Sequence, residues 1–244
     1  MKENKYDDKV FFDKYSNMER SLKGLEGAGE WHELKKMLPD LQGKRILDLG
    51  CGFGWHCRYA IEHGAKSVIG VDISERMIEE AKNKTSSEDI EYICSPIEDI
   101  DFPEGSFDLI ISSLTLHYIE SFEGIIDKIS KWLVSGGDFV FSVEHPIFTA
   151  QGTQDWYYDS YGNRLHWPVD QYFIEGIRRS VFLDEEVMKY HKTLTTYIQG
   201  LITKGFGITG VVEPKPARNK LEELPDNPDE LRRPMMLLIS SNKK

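Results

Sequence analysis

The chain has 244 residues, 40% hydrophobic and 29% charged, the balance of an ordinary globule large enough for one α/β domain with insertions. A formal net charge of −11 argues against a nucleic-acid partner, which needs a basic surface, and no apolar run reaches the ~18 residues that cross a membrane. The opening MKENKYDDKVFFDKY lacks the apolar core of a secretory signal, and Cys51, Cys57 and Cys94 form neither a disulfide framework nor a metal spacing, so a cytoplasmic, reducing setting is expected.

From Lys44 onward, strand-like and helix-like segments alternate. KRILDL is a short buried-strand pattern, and WHCRYAIEHG follows as a helix closed by Gly64. SVIGVD is the next strand, after which Ser74 caps a helix whose Met77, Ile78 and Ala81 share one face. IEYIC and FDLIIS are two further strands. Phe122, Ile125, Ile126, Ile129, Trp132 and Leu133 then fall at helical spacing, with Gly136 and Gly137 expected to end that helix before the strand DFVFSV. The rhythm breaks after His145-Pro146 and resumes with a helix carrying Leu194, Tyr197, Ile198, Leu201 and Ile202 on one stripe. GITGVVEP and MMLLIS close the chain as two strands joined without a crossover helix, which predicts an antiparallel pair. The loop between them, with Glu222, Glu223, Asp226, Asp229 and Glu230, reads as a solvated acidic loop. The βα series predicts a Rossmann-like α/β fold: a seven-stranded sheet, mostly parallel with an antiparallel last strand, and helices on both faces.

In such a sheet, ligands bind where the first strand turns into its helix. ILDLGCGFG places Gly50, Gly52 and Gly54 in that turn, and Asp72 ends the second strand twenty residues beyond Gly52. An acidic side chain there accepts hydrogen bonds from both hydroxyls of a ribose, so the pair points to a ribose-bearing cofactor. NAD and S-adenosylmethionine both qualify. Trp55 stands where a dinucleotide fingerprint counted from Gly50 has its third glycine, and Asp48 would repel a pyrophosphate but suits a methionine ammonium. The balance favours S-adenosylmethionine.

ILDLGCGFG resembles the first motif of the class I S-adenosylmethionine-dependent methyltransferases, and VIGVDIS the second. CSPIEDIDFPEGSFDLIISSLTLHYI is similar to the third and fourth segments of the branch with a type 11 methyltransferase domain, which acts on small molecules. The resemblance implies that Asp48, Gly50, Gly52 and Gly54 meet the methionine end and Asp72 the ribose. It puts Ile73, Ile97 and Glu98 at the adenine, and Ser113 near the methionine backbone or the sulfonium. Pro96 stands where many relatives carry an aspartate for the adenine amino group, so that contact is absent or falls to Glu98. The amino-terminal FFDKYSNMER is expected to close over the cofactor, with Tyr15 or Arg20 reaching its carboxylate.

Methyl transfer needs an aligned acceptor and excluded water, with a general base only for a protonated acceptor. Residues 147–182 hold nine of the 28 aromatic residues, and DSYGNRLHW carries a hairpin signal between two aromatic runs. This stretch is expected to form a lid over the sulfonium, with Trp156, Tyr158, Trp167, Tyr172 and His191 shaping the acceptor pocket. The competing reading of the same residues is a satellite core or a dimer interface. His145, beside Pro146, is the first candidate base and His117 the second. No histidine has metal-ligand spacing, and no Asn/Asp-Pro-Pro-Tyr/Phe segment follows the fourth strand, which disfavours nucleic-acid amino groups as acceptors.

The expected organisation is one methyltransferase domain, residues 1–244: a helical cap (1–43), a cofactor core (44–145), an inserted lid (146–190) and a closing helix and hairpin (191–244). The expected activity is S-adenosylmethionine-dependent transfer to a small organic acceptor, yielding S-adenosylhomocysteine, by a monomer or homodimer without metal, membrane or nucleic acid. The alternatives are an NAD-dependent oxidoreductase and a non-catalytic S-adenosylmethionine-binding protein.

Overall fold

The computed structural model describes residues 4–216 and 228–244. Three short helices come first: α1 (Lys9–Ser16), α2 (Glu19–Leu22) and α3 (Trp31–Met37). The alternating core follows as β1 (Arg45–Leu49), α4 (Trp55–Glu62), β2 (Ser67–Asp72), α5 (Glu75–Asn83), β3 (Ile90–Cys94), β4 (Phe107–Ser113), α6 (Phe122–Trp132) and β5 (Leu133–Glu144). An insertion contains α7 (Pro146–Thr149), β6 (Tyr157–Tyr158), β7 (Arg164–His166), β8 (Gly176–Phe182) and β9 (Glu185–His191). The chain closes with α8 (Leu194–Thr203), β10 (Phe206–Val212) and β11 (Met236–Lys243).

Seven strands form one sheet in the order β10-β11-β5-β4-β1-β2-β3. Strands β1 to β5 are mutually parallel, and β11 runs antiparallel to both β5 and β10. Alternation along each strand divides the side chains between two cores. Leu47, Leu49, Phe139, Phe141 and Val143 face α6 and α8, meeting Ile125, Ile129, Trp132, Tyr197 and Leu201. Ile46, Val68, Leu109, Ile111 and Val140 face the other way, onto Trp31 and Leu34 of α3 and Cys57 and Ala60 of α4. Each large apolar side chain so buried stabilises the fold by roughly 1.5–3 kcal/mol. Helix α5 forms for local reasons as well: Ser74 Oγ accepts from Met77 N at 3.2 Å, and Met77, Ile78 and Ala81 share the buried face.

Some expectations shift. Helix α6 stops at Trp132, because Leu133 is already extended, and Gly136 (φ +78°) sits in a bulge within β5 rather than at a helix end. On α8 only Tyr197 and Leu201 are buried, whereas Leu194 and Ile202 are exposed. The turn signal in DSYGNRLHW does make a hairpin, pairing Tyr157 with His166, and a second hairpin that sequence reading missed pairs β8 with β9. Of the acidic loop, Glu222, Glu223 and Asp226 lie outside the described residues. Asp229 and Glu230 are not simply solvated: Asp229 pairs with Arg164 and Arg232, and Glu230 with Arg233. All three cysteines are free thiols, and no described helix is long and apolar enough to cross a membrane.

Candidate active site

The carboxyl ends of β1, β2, β4 and β5 open on a cavity of about 500 Å³. Its floor is the glycine turn. Gly50, Gly52 and Gly54 all have positive φ, at +76°, +51° and +70°. A Cβ on Gly50 would lie 2.0 Å from Thr115 Oγ1 and one on Gly54 2.1 Å from Tyr92 Oη, so both glycines serve close packing. A Cβ on Gly52 would meet nothing within 4 Å, because Gly52 faces the cavity. Asp72 pins the turn: its Oδ2 accepts from Gly52 N and its Oδ1 from Ser74 N, both at 2.9 Å. Burial raises the Asp72 carboxyl above its ordinary range. Ile73, Ile97 and Glu98 line the same half of the cavity, beside Pro96.

Asp48 and Gly54 are not on the wall. Asp48 shares its face of β1 with Ile46, beneath α4, and is 1% exposed. The Cys57 thiol donates to Asp48 Oδ2 at 3.3 Å, Oδ1 has no partner, and burial pushes the carboxyl up to about 7. Asp48 therefore supports the turn from below.

The amino-terminal segment roofs the cavity. Asp7 fastens it to the start of α5, accepting from Ser74 Oγ at 2.6 Å and from Arg76 N at 3.2 Å. Tyr6, Tyr15 and Arg20 face inward. Arg20 Nη2 donates to Glu30 Oε1 at 2.9 Å, and Ser113 Oγ donates to the same oxygen at 3.3 Å. Burial alone would raise the Glu30 carboxyl, but the Arg20 guanidinium and a backbone hydrogen bond together hold the group below its usual range. Glu30, 1% exposed, has no sequence signal that separates it from a solvated glutamate.

The far half is built by the turn after β4, the end of β5 and the β8–β9 hairpin. Leu114 holds φ +52°, a strained conformation for a branched side chain, and its N–H donates to Ser142 O at 2.9 Å. His117 follows, 2% exposed, with Nδ1 accepting from Glu144 N at 3.4 Å. That bond leaves the proton on Nε2, and burial pushes the imidazole down to about 3. Glu144, also on the wall, is held from behind by Lys189 Nζ at 2.6 Å and Gln154 Nε2 at 2.6 Å. Burial would raise the Glu144 carboxyl, yet it stays below its usual range. The neighbouring His117, the Lys189 ammonium and the Gln154 amide together oppose burial there. Tyr118 Oη lies 3.4 Å from Tyr6 Oη, joining the far half to the roof, and Phe182, Met188 and Tyr190 complete it.

The other candidates lie elsewhere. His145 does not line the cavity: its Nδ1 accepts from Ile147 N at 3.0 Å as the cap of α7, and its Nε2 lies 2.9 Å from Glu213. His191 is wholly buried with both nitrogens engaged, Nδ1 to Thr149 Oγ1 at 2.7 Å and Nε2 to Tyr172 O at 2.8 Å. Tyr172 Oη accepts from Leu194 N, and Tyr158 donates to Asp155 at 2.9 Å. Trp156 and Trp167 pack with Phe148 around the Arg233 guanidinium, which lies 4.6 Å from the Trp167 ring and 5.5 Å from the Trp156 ring. These aromatics form a satellite core away from the cavity, and the hairpin that does reach it is β8–β9.

A family model described as a methyltransferase domain matches residues 47–141. A crystal structure described as an S-adenosylmethionine-dependent methyltransferase, from Listeria monocytogenes, is 60% identical with a TM-score of 0.86, covering 91% of this chain and 99% of its own. The chain belongs to the class I S-adenosylmethionine-dependent methyltransferases. The structure of another such methyltransferase, from Mesorhizobium loti, is 43% identical at a TM-score of 0.83, over 90% of this chain and 100% of its own. An uncharacterised protein of Haemophilus influenzae is 33% identical across 98% of this chain and 96% of its own length. Membership replaces the alternative of a nicotinamide enzyme.

The residues of this methyltransferase fit that cofactor. The side-chain-free face of Gly52 opens on the cavity, and Asp72 stands on the wall beside it. Among the described residues no cluster of three or more His, Cys, Asp or Glu could hold a metal ion.

Proposed function

We propose that this methyltransferase transfers a methyl group to a small organic acceptor held in the far half of the cavity. The observation that carries the reading is the roof. The space of about 500 Å³ is covered by the chain's own Tyr6, Tyr15, Phe182 and Met188, the enclosure expected around a small ligand. When bound, the cofactor supplies an electrophilic methyl on a positively charged sulfur.

Asp72 would hold the ribose hydroxyls while its turn hydrogen bonds stay in place. Ile73 and Ile97 would pack on the adenine, with Glu98 at its edge, and Gly50 and Gly52 would let the thioether lie against bare backbone. Ser113, Tyr15 and Arg20 would meet the methionine end. In the far half, Tyr118 and Tyr190 flank the acceptor. Neutral His117, with its proton on Nε2, would orient the acceptor by donating a hydrogen bond. A group pushed down to about 3 is a poor base at neutral pH. The single-domain organisation stands in this reading with one change: the part of the 146–190 insertion acting as a lid is the β8–β9 hairpin. The free thiols support a reducing, cytoplasmic setting.

The test measures S-adenosylhomocysteine release from S-adenosylmethionine with the small-molecule and the macromolecular fractions of a cell extract supplied separately. Turnover with the small-molecule fraction, abolished by Asp72→Ala, is the expected result; turnover with the macromolecular fraction alone would refute it. His145→Ala should keep its rate, whereas His117→Ala should lose about 10- to 100-fold, the worth of one hydrogen bond to a charged or reacting group.

A further inference from the structure

On the far half of the cavity, Glu144 and His117 set a fixed hydrogen-bond acceptor beside a fixed donor. Glu144 Oε1 takes the Lys189 ammonium and Oε2 the Gln154 amide, both at 2.6 Å, and Lys189 Nζ donates to Gln154 Oε1 at 2.9 Å. That closed ring lies behind the carboxylate: the Lys189 side chain is 3% exposed, whereas that of Glu144 keeps 17%. A carboxylate oxygen accepts about two hydrogen bonds, so a site remains on each. Glu144 stays ionised despite burial, and an ionised carboxylate can only accept. His117 is the opposite case. Glu144 N occupies its Nδ1, and its Nε2–H has no partner among the described residues. The turn that carries His117 packs on the glycine turn, where a Cβ on Gly50 would strike Thr115, so the pair borders the cofactor's half.

A buried ion pair is a weak source of stability, since well-packed apolar side chains do as well or better. Its use here is to keep a charged carboxylate on the wall. The surroundings are apolar or aromatic, with Phe182, Met188, Tyr190 and Met235. Both wall cations are already paired, Lys5 with Glu185 at 3.0 Å and Arg20 with Glu30 at 2.9 Å. Among the described residues, then, the wall offers nothing to a phosphate or carboxylate on the acceptor.

We infer that the methylated atom is the oxygen of a hydroxyl on an uncharged, apolar small molecule, and that Glu144 takes its proton. The inference rests on the proposed small-molecule acceptor and names its reacting group. A hydroxyl oxygen has one proton and two lone pairs. The proton faces Glu144, one lone pair accepts from His117 Nε2–H, and the other attacks the methyl carbon. A neutral amine has a single lone pair and cannot both accept from His117 and attack. A carboxylate has no proton to give and would meet Glu144 charge to charge. In the step the O–C bond forms, the C–S bond breaks with its electron pair going to sulfur, and the hydroxyl proton passes to a Glu144 oxygen. The sulfonium and carboxylate charges disappear together, so the net charge of the site is unchanged. Because the hydroxyl turns strongly acidic as the O–C bond forms, a weakly basic carboxylate suffices. The proton leaves to solvent as the methyl ether departs.

The test supplies the intact enzyme with the small-molecule fraction of a cell extract and S-adenosylmethionine carrying carbon-13 in its methyl group. The chemical shift of the labelled carbon tells methyl on oxygen from methyl on nitrogen, sulfur or carbon, and survival in mild base tells an ether from an ester. Base-stable O-methyl signal is expected; methyl on nitrogen, sulfur or carbon, or a base-labile ester, would overturn the inference. No labelled product at all would instead refute the small-acceptor reading, and the inference would fall with it. Glu144→Gln should slow turnover by about 10²- to 10⁴-fold, and the residual rate should climb by about tenfold per pH unit above neutrality, where wild type stays level, as hydroxide replaces the lost base. Glu144→Gln/Lys189→Met, which leaves no unpaired ammonium, should behave alike, and thermal melts confirm that both variants are folded. By calorimetry, both should keep S-adenosylhomocysteine affinity within about twofold. A loss of affinity that matched the loss of rate, or a rate loss without the pH response, would make Glu144 structural and overturn its assignment.

Discussion

Gly50→Ala and Gly52→Ala separate what the glycine turn does for folding from what it does for the ligand. At Gly52 the backbone is left-handed, φ +51°, and an added methyl meets nothing within 4 Å. Alanine there costs about 1–2 kcal/mol for the conformation alone. At Gly50, φ +76°, the methyl would also lie 2.0 Å from Thr115 Oγ1 and 2.5 Å from its Cγ2. Thr115 is held by its own hydrogen bond to Ser113 O at 3.1 Å, so relief requires breaking that bond or shifting the turn after β4. Overpacking of this kind adds about 1–3 kcal/mol, for a total of roughly 2–5 kcal/mol. Urea denaturation of the ligand-free protein reads both numbers. The order reverses for binding relative to stability: the Gly52 methyl projects into the cavity and should weaken S-adenosylhomocysteine by about tenfold or more with little loss of fold. Equal destabilisation by the two substitutions, or wild-type affinity in Gly52→Ala, would refute the division of roles.

Burial of Asp48 predicts a pH-dependent stability. Its carboxyl rises from 3.8 to about 7 on folding, so its contribution is fully present below pH 4 and is lost as the pH rises to 7. Asp48→Asn should therefore exceed wild type at pH 8 by an amount on the order of a few kcal/mol, with the gap closing towards pH 4; a gap that did not vary with pH in urea melts would contradict this. Lys189→Met leaves the Glu144 carboxylate without its ion partner and should cost about 3–5 kcal/mol, most of it recovered in the Glu144→Gln/Lys189→Met pair, which a double-mutant cycle would measure. Arg233→Ala empties the ring cluster of Phe148, Trp156 and Trp167. It should speed hydrogen exchange over residues 147–167 while S-adenosylhomocysteine affinity stays within about twofold, because these rings lie off the cavity wall.

The parallel core was legible because each βα unit states its period and its cap locally, as Ser74 and the Met77–Ile78–Ala81 face do for α5. The β8–β9 hairpin was not, for a specific reason. Its turn residues, Leu183 and Asp184, hold φ of +55° and +61° without a glycine, so the usual hairpin signal is missing. The aromatic-rich insertion misled for another: ring density is the same for a ligand pocket and for a satellite core. The residue that decides between them, Arg233, stands far along the chain. His145 was misplaced by a single step. Neighbouring residues along a strand point to opposite sides, and it is Glu144 that meets the cavity. Within the site, Asp72, Gly50 and Gly52 followed from strand ends and spacing. Glu30 acquires its place only when the cap folds back over β4.

The position of β11 bears on how the protein is made. It follows β10 in the chain yet lies between β5 and β10 in the sheet. As the polypeptide emerges, β1 to β5 can assemble in order, but β10 has no partner until β11 arrives. Throughout that interval β5 is an open edge, with Phe139, Phe141 and Val143 along it. Such an edge is a template for pairing with a second nascent chain. Slow translation or early release before residue 236 would therefore favour aggregation over an inactive but soluble fragment, a vulnerability set by strand order and independent of how well the finished sheet is packed.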